Sequence, residues 1–194
     1  LLLLLVVREP PVPRAAAGKP VSLKGLPRQF WWFVAAYSVF SVGNVTYAFF
    51  LLRAKELGVA EALVPAVYLL HNVVYTLAGL PAGALSDRIG ARRATFLVML
   101  LHALICLGLA WAVPPWLAVG LVAVYGVVLA GDGSAVRALV AELLPTGLRA
   151  SGMAAYRALG GVMMLPGSWM VGWLWDERGA APAWILSAAL AALG

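Results

Sequence analysis

The sequence predicts an all-α, polytopic membrane helix bundle, and three observations predict it. Apolar runs recur at about 30–52, 62–85, 94–112, 116–141 and 153–175, with a shorter one at 182–194. The longer runs hold roughly 20 residues, and at about 1.5 Å per residue that crosses the ~30 Å hydrocarbon core of a bilayer. The chain is 63% hydrophobic and 11% charged, whereas a soluble domain is about half apolar and a quarter charged. The basic residues collect in alternate turns. Arg8, Arg14, Lys19, Lys24, Arg28, Arg88, Arg92, Arg93 and Arg149 fall on one side, against Arg53, Lys55 and Arg178 on the other. Such asymmetry marks the first side as cytoplasmic.

The same distribution disposes of other classes. The net charge of +6 is a matter of topology, not a nucleic-acid-binding face, because the cations lie in loops between apolar runs. The single cysteine, Cys106, sits inside an apolar run, so there is no disulfide framework. Phosphate loops, His-Glu-x-x-His and paired cysteines are all lacking. Asp132 has no second intramembrane acid beside it, and Ser168 is followed by Trp169. The sequence predicts no enzyme and no cofactor.

Taken in order, Leu1–Val7 reads as the end of a truncated transmembrane helix, since an apolar stub running straight into Arg8 has no charged segment before it. Residues 8–29 form a linker: Pro10, Pro11, Pro13, Pro20 and Pro27 forbid a regular helix, and the cations place it in the cytoplasm. Residues 30–194 form the bundle.

In the first span, 30–52, Trp31 and Trp32 sit at the cytoplasmic rim, and Arg53 and Lys55 follow its other end, where the helix dipole favours cations. Asn44 falls near the middle; an amide at that depth serves an interhelical hydrogen bond or lines a cavity. The second span, 62–85, carries His71, Asn72, Tyr75 and Thr76 in one patch, with 71 and 75 one turn apart. So many polar groups do not face lipid, and His71, Asn72 and Tyr75 become pathway candidates beside structural bonding. Gly79-x-x-x-Gly83 offers a surface for close helix packing.

The turn Gly83-Ala-Leu-Ser-Asp87-Arg88-Ile-Gly90-Ala91-Arg92-Arg93 comes next. Gly83 admits a neighbouring backbone, Gly90 permits positive φ, and Asp87 can pair with an arginine or a helix N-terminus. Arg92 and Arg93 open a helix, against the dipole preference, so topology or a paired acid holds them there. The third span, 94–112, is featureless apart from His102 and Cys106 and reads as lipid-facing scaffold; His102 has no evident partner.

The fourth span, 116–141, concentrates the chemistry. Asp132 lies in Ala130-Gly131-Asp132-Gly133-Ser134, about 13 Å of helix from the cytoplasmic end, and Arg137 is about one turn nearer that end. An ionisable group there costs a few kcal/mol to insert. It is a buried pair with Arg137 or a histidine, or an acid that lines the central cavity and carries a proton. The next turn, Glu142-Leu-Leu-Pro145-Thr-Gly147-Leu-Arg149, can form a charge cluster with Arg137, Asp87 and Arg88 if the two turns meet, as a two-state gate requires. The fifth span, 153–175, has Tyr156 and Arg157 near its start and Pro166-Gly167 in its middle; Arg157 joins the pathway candidates. Trp173 and Trp175 mark its outer rim, and Trp169 reads as core packing with the cavity as the other option. Residues 182–194 are a truncated span.

The 83–93 turn resembles the cytoplasmic loop signature of the major facilitator superfamily of secondary transporters, which occurs between the second and third helices and recurs between the eighth and ninth. Ala91 stands where that signature has a basic residue, a departure typical of the recurring copy. The 142–149 turn is similar to the family's turn between its tenth and eleventh helices, with Ala150 and Ser151 intervening before Gly152. The resemblance implies the C-terminal six-helix half of such a transporter, in the cell (inner) membrane, with residues 8–29 linking to a missing N-terminal half. It further implies alternating access for a small-molecule substrate, commonly coupled to protons, with Gly83, Asp87, Arg88, Gly90, Arg92, Arg93, Arg137, Glu142 and Arg149 in the gate. The other reading is a non-transporting scaffold or receptor on the same bundle.

Overall fold

The computed structural model describes residues 23, 25–111 and 114–194. The expected helix end at 1–7 and most of the expected linker 8–29 lie outside the described residues. Where that linker is described, it ends earlier than expected: α1 (Arg28–Gly43) starts directly after Pro27, whose carbonyl accepts from the Phe30 and Trp31 amides. Proline has φ near −65° by construction, and here it stands just outside the first turn, where it obstructs nothing.

Every regular element among the described residues is helical. After α1 come α2 (Tyr47–Glu56), α3 (Val64–Ile89), α4 (Ala91–Ala110), α5 (Pro115–Gly131), α6 (Arg137–Leu143), α7 (Arg149–Arg178) and α8 (Ala180–Leu193). Four segments are long and apolar enough to cross a membrane: Arg28–Glu56, Glu61–Ile89, Ala91–Ala110 and Pro115–Leu143. α7 has 30 residues but is diluted by glycines, tryptophans and charges; α8, with 14, is short.

Two of these segments are interrupted. In the first, α1 stops at Gly43, and Asn44-Val45-Thr46 leaves the helix before α2 begins. The Asn44 amide still bonds the Phe40 carbonyl at 2.8 Å. Thr46 takes extended backbone and its hydroxyl accepts from the Ala48 amide at 3.3 Å, an N-cap. In the second, a π-helical turn, Asp132–Val136, separates α5 from α6. Gly131 and Gly133 flank Asp132 there, and such wide turns concentrate at functional sites.

The turns between spans are tight. Gly90 alone joins α3 to α4 with φ of 87°, and Gly179 joins α7 to α8 with φ of 86°. Both lie where a side chain would strain the backbone.

The core is divided along the bundle axis. Phe50, Ile105, Leu109, Val122, Tyr125 and Trp184 form a dry cluster shared by α2, α4, α5 and α8. Phe30, Val34, Val136, Val140 and Tyr156 form a second cluster toward the opposite end, where α1, α6 and α7 meet. Glycines set the closest approaches. A Cβ on Gly126 would fall 2.6 Å from the His71 carbonyl oxygen of α3, one on Gly43 would fall 2.7 Å from the Ser187 carbonyl oxygen of α8, and one on Gly167 would enter the Val42 backbone of α1. Gly79 and Gly83, the expected packing surface, have open space where their side chains would be. α3 bears on α5 with its 71–75 face instead, leaving Leu77 and Leu80 exposed.

The third span also departs from expectation. α4 is central, not lipid-facing: it packs against α5 and α8 and buries Thr95, Met99, His102, Ile105, Cys106 and Leu109. Uniform hydrophobicity suits a helix surrounded by protein as well as one surrounded by lipid, so periodicity could not separate the two.

Candidate functional site

The site is where the two interrupted segments run side by side. Tyr37 on α1 donates its hydroxyl to the Asp132 carboxylate at 3.1 Å. Seven residues further along each segment, in opposite directions, Tyr125 on α5 donates to the Asn44 side-chain oxygen at 3.1 Å. Seven residues are about two helical turns, or roughly 10 Å, so the two bonds form rungs on one face of an antiparallel pair. Each rung joins a tyrosine of one segment to the polar residue at the other segment's interruption. A tyrosine at bilayer depth needs a partner for its hydroxyl, and here the partners are the two groups that a lipid-facing helix would not carry.

The rungs differ in surroundings. Tyr125 is 3% exposed. It stacks on Phe50 at 4.0 Å between ring centroids and on His71 at 5.5 Å. Asp132 and Tyr37 are half-buried. Phe33 stacks on Tyr37 at 5.7 Å, and Tyr156 meets Tyr37 edge-on at 5.5 Å. The guanidinium of Arg157 lies over the Tyr156 ring, 5.6 Å from its centroid. Arg137 is turned back so that its Nε donates to the Gly133 carbonyl. Both arginines thus border the Tyr37–Asp132 bond, Arg157 through the Tyr156 ring and Arg137 through the residue next to Asp132. Neither forms an ion pair with it, since the described residues contain two ion pairs and both are elsewhere. The expected Asp132–Arg137 pair, or a pair with a histidine, is therefore replaced by the Tyr37 bond; Arg137 is committed to its own helix turn.

The remaining pathway candidates are placed as follows. Asn44 is bonded to Tyr125. His71 is buried and its Nδ1 lies 3.0 Å from the Val122 carbonyl, so it ties α3 to α5. Asn72 donates to the Tyr68 carbonyl, and Thr76 to the Asn72 carbonyl, both within α3. Tyr75 is exposed on the same helix. Trp169 is 72% exposed and packs in no core. His102 is fully buried among Phe40, Phe50 and Tyr125. The partner it lacks in a linear reading is Cys106, one turn on, with Sγ 3.4 Å from its Nε2.

Residues 1–168 match the Major Facilitator Superfamily. The chain belongs to that superfamily. An uncharacterised MFS-type transporter of Methanocaldococcus jannaschii is 29% identical over 161 residues, covering 80% of this chain and 40% of the relative. Uncharacterised proteins of Mycobacterium bovis and Mycobacterium tuberculosis are each 28% identical over 184 residues, covering 90% of this chain and 44% of theirs. The chain thus spans less than half the length of the curated relatives it matches. No solved structure matches it.

In this superfamily member the charges of the two basic turns share one end of the bundle. A groove of about 790 Å³ there is lined by Gln29, Trp32, Arg92, Thr95, Leu143 and Gly194, so the starts of α1 and α4 and the end of α6 converge. Tyr37 lines the same groove, deeper in. Yet Asp87, Arg88, Arg92, Arg93, Glu142 and Arg149 are exposed and join no ion pair among the described residues. Among the described residues, the one side-chain bond from this set is Arg149 to the Leu144 carbonyl at 3.5 Å. Long side chains in water gain little from pairing, so a shared end does not by itself make a cluster. Gly83 has nothing packed on it, while Gly90 occupies its positive-φ hinge.

Tyr37 and Tyr156 are the candidate-site residues that no motif marks. The available signal was that a tyrosine hydroxyl well inside an apolar run must find a partner.

Proposed function

We propose that the chain is the C-terminal half of a secondary active transporter that moves a small solute by alternating access, coupled to protons, in the cell (inner) membrane with residues 8–29 cytoplasmic. The observation that carries this is the Tyr37–Asp132 bond at the π-helical turn. It sets a half-buried carboxylate, with a single neutral donor and no salt-bridge partner among the described residues, between a span broken at Asn44–Thr46 and one widened by a π-helical turn. Broken helices at membrane depth are where transporters bind solutes and coupling ions. A carboxylate held by one hydroxyl can exchange a proton as water access alternates. Asn44, His71, Asn72, Tyr75 and Arg157 line or brace that route. The exposed charges of the basic turns, with Gly83, Gly90 and Arg137, serve as gate groups that pair in one state and are solvated in the other. The site performs transport and no bond-making chemistry, and the other half of the cavity comes from an N-terminal half of the same protein.

The test is accumulation against a gradient in proteoliposomes holding the intact protein. An imposed pH difference drives solute uptake in the parent, and Asp132→Asn abolishes that uptake while leaving solute counterflow. Driven accumulation that persists in Asp132→Asn removes the proton role from this residue. Absence of both driven uptake and counterflow in the parent leaves a membrane scaffold or receptor.

A further inference from the structure

The groove at the basic end runs from water toward the Tyr37–Asp132 bond. Gln29 and Trp32 on α1 and Arg92 on α4 line it at its outer end, and all three are exposed. Tyr37 lines it eight residues further along α1 than Gln29, about 12 Å of helix. There the groove closes, because Tyr37 packs against a buried cluster of Phe40, Met99, Ala103 and Ala191. Asp132 is half-buried and does not itself line the groove. It is joined to the groove by the hydroxyl that Tyr37 donates to it at 3.1 Å. Between the outer end and Tyr37 the wall carries one further polar side chain, Thr95, three residues past Arg92 on α4 and about 5 Å deeper. Thr95 is 4% exposed, and its Oγ1 has no hydrogen-bond partner among the described residues. A buried hydroxyl on the wall of a cavity is a place for an ordered water.

We infer that this groove is the route by which protons from the basic side reach Asp132, with Tyr37 passing them on and Thr95 holding water on the way. The inference rests on the proton-coupled reading above and adds to it the path and the relay. A phenol hydroxyl donates and accepts at once. The Tyr37 proton is committed to Asp132, which leaves the lone pairs of its oxygen for a donor in the groove. When a hydronium ion there gives its proton to the Tyr37 oxygen, the proton already on that oxygen moves along the existing bond to the carboxylate. One O–H bond breaks at the hydronium ion and one at the tyrosine, and one forms at the tyrosine and one at Asp132. The products are water, a neutral Tyr37 and a protonated Asp132, so no tyrosinate is formed and no further reactant is consumed. Rotation of the hydroxyl about its C–O bond resets the relay once Asp132 has lost its proton. Deeper than Arg92 the groove is lined by no charged side chain, so nothing on the wall holds the proton before Tyr37.

The experiment uses the intact protein in proteoliposomes and has two arms. In the first, Ala36→Cys, on the groove wall beside Tyr37, is treated with a membrane-impermeant charged methanethiosulfonate from the face bearing the basic turns, with the unsubstituted protein as the blank. Labelling above the blank is expected. No labelling overturns the groove as a water route while the transporter reading stands. In the second arm, uptake driven by a pH difference and solute counterflow are measured side by side. Tyr37→Phe keeps the ring and removes the relay, and is expected to slow driven uptake by about tenfold or more while counterflow falls by less. Thr95→Val is expected to shift the same ratio in the same direction by a smaller factor. Each variant is checked for elution as one species. Driven uptake and counterflow reduced in equal proportion by Tyr37→Phe make the tyrosine a structural brace and overturn the relay, with the proton role of Asp132 intact. Driven uptake that persists in Asp132→Asn removes the proton reading and this inference together.

Discussion

The two ends of the bundle solve the problem of buried polarity in opposite ways. At the far end, where α2 finishes and α7 approaches α8, Arg53, Lys55 and Glu56 are tied. Arg53 donates from Nε to the Leu109 carbonyl at 3.0 Å and pairs with Glu56 at 3.2 Å. Glu56 also accepts from the Trp175 indole at 2.8 Å, and Lys55 pairs with Glu61 at 3.1 Å. α2, α4 and α7 are thereby laced together over the cluster around Phe50, Tyr125 and Trp184. At the basic end, the corresponding charges on the 87–93 and 142–149 turns are exposed and unpaired among the described residues, and the Asp132 carboxylate has one neutral partner among them. A laced, dry half can act as a rigid body. An end whose charges are not laced can exchange partners without first breaking a network, as alternation between two states requires.

The comparison breaks most readily at Gly126. Valine there would drive a side chain into the α3 backbone, and the expected result is loss of the folded detergent-solubilised species, read by size-exclusion elution; retention of a normal profile would mean that the α3–α5 contact yields easily. Next in size is Trp184→Ala in the laced half. It should cost about 3–5 kcal/mol, as for other large-to-small core changes, seen as a lower thermal transition. A smaller cost than that of Phe33→Ala at the basic end would reverse the assignment of rigid and mobile ends.

Smaller and more diagnostic is the pair of rungs. Tyr125→Phe leaves the Asn44 amide short of a donor in a dry setting and should cost about 1–3 kcal/mol. Tyr37→Phe, next to water-accessible charge, should cost less in stability while shifting the pH dependence of transport. Equal stability losses with an unshifted profile would make the rungs equivalent. Lys55→Ala, at the exposed edge of the far end, should change stability by no more than about 1 kcal/mol, as exposed pairs do; a larger loss would mean that the lacing depends on this pair too.

Much of the fold was legible because it depends on local quantities. Run length, hydrophobicity and the placement of cations identify membrane-crossing helices, and glycine at position 90 marks a positive-φ turn. Asp132 was legible as well, since a charge in an apolar run advertises its own cost. Its partner was not. Tyr37 is 95 residues away, and nothing local distinguishes it from the aromatic residues around it. The same limit hid the break at Asn44: Gly43-Asn44-Val45-Thr46 contains a capping threonine, but whether the helix yields there depends on Tyr125 and on the close fit of Gly43 against α8.

The chain alone, then, determined that its helices lie in a membrane, that its cations gather at one end, and that an acid is held where acids are expensive, because each follows from transfer free energies summed along a stretch of residues. Tertiary structure decided which glycines are contacts, that α4 is central, that Asp132 is bonded to Tyr37 instead of an arginine, and that one end is laced while the other is loose. Those outcomes depend on the pairing of residues remote in sequence, and the energy of a pair is not a property of either member.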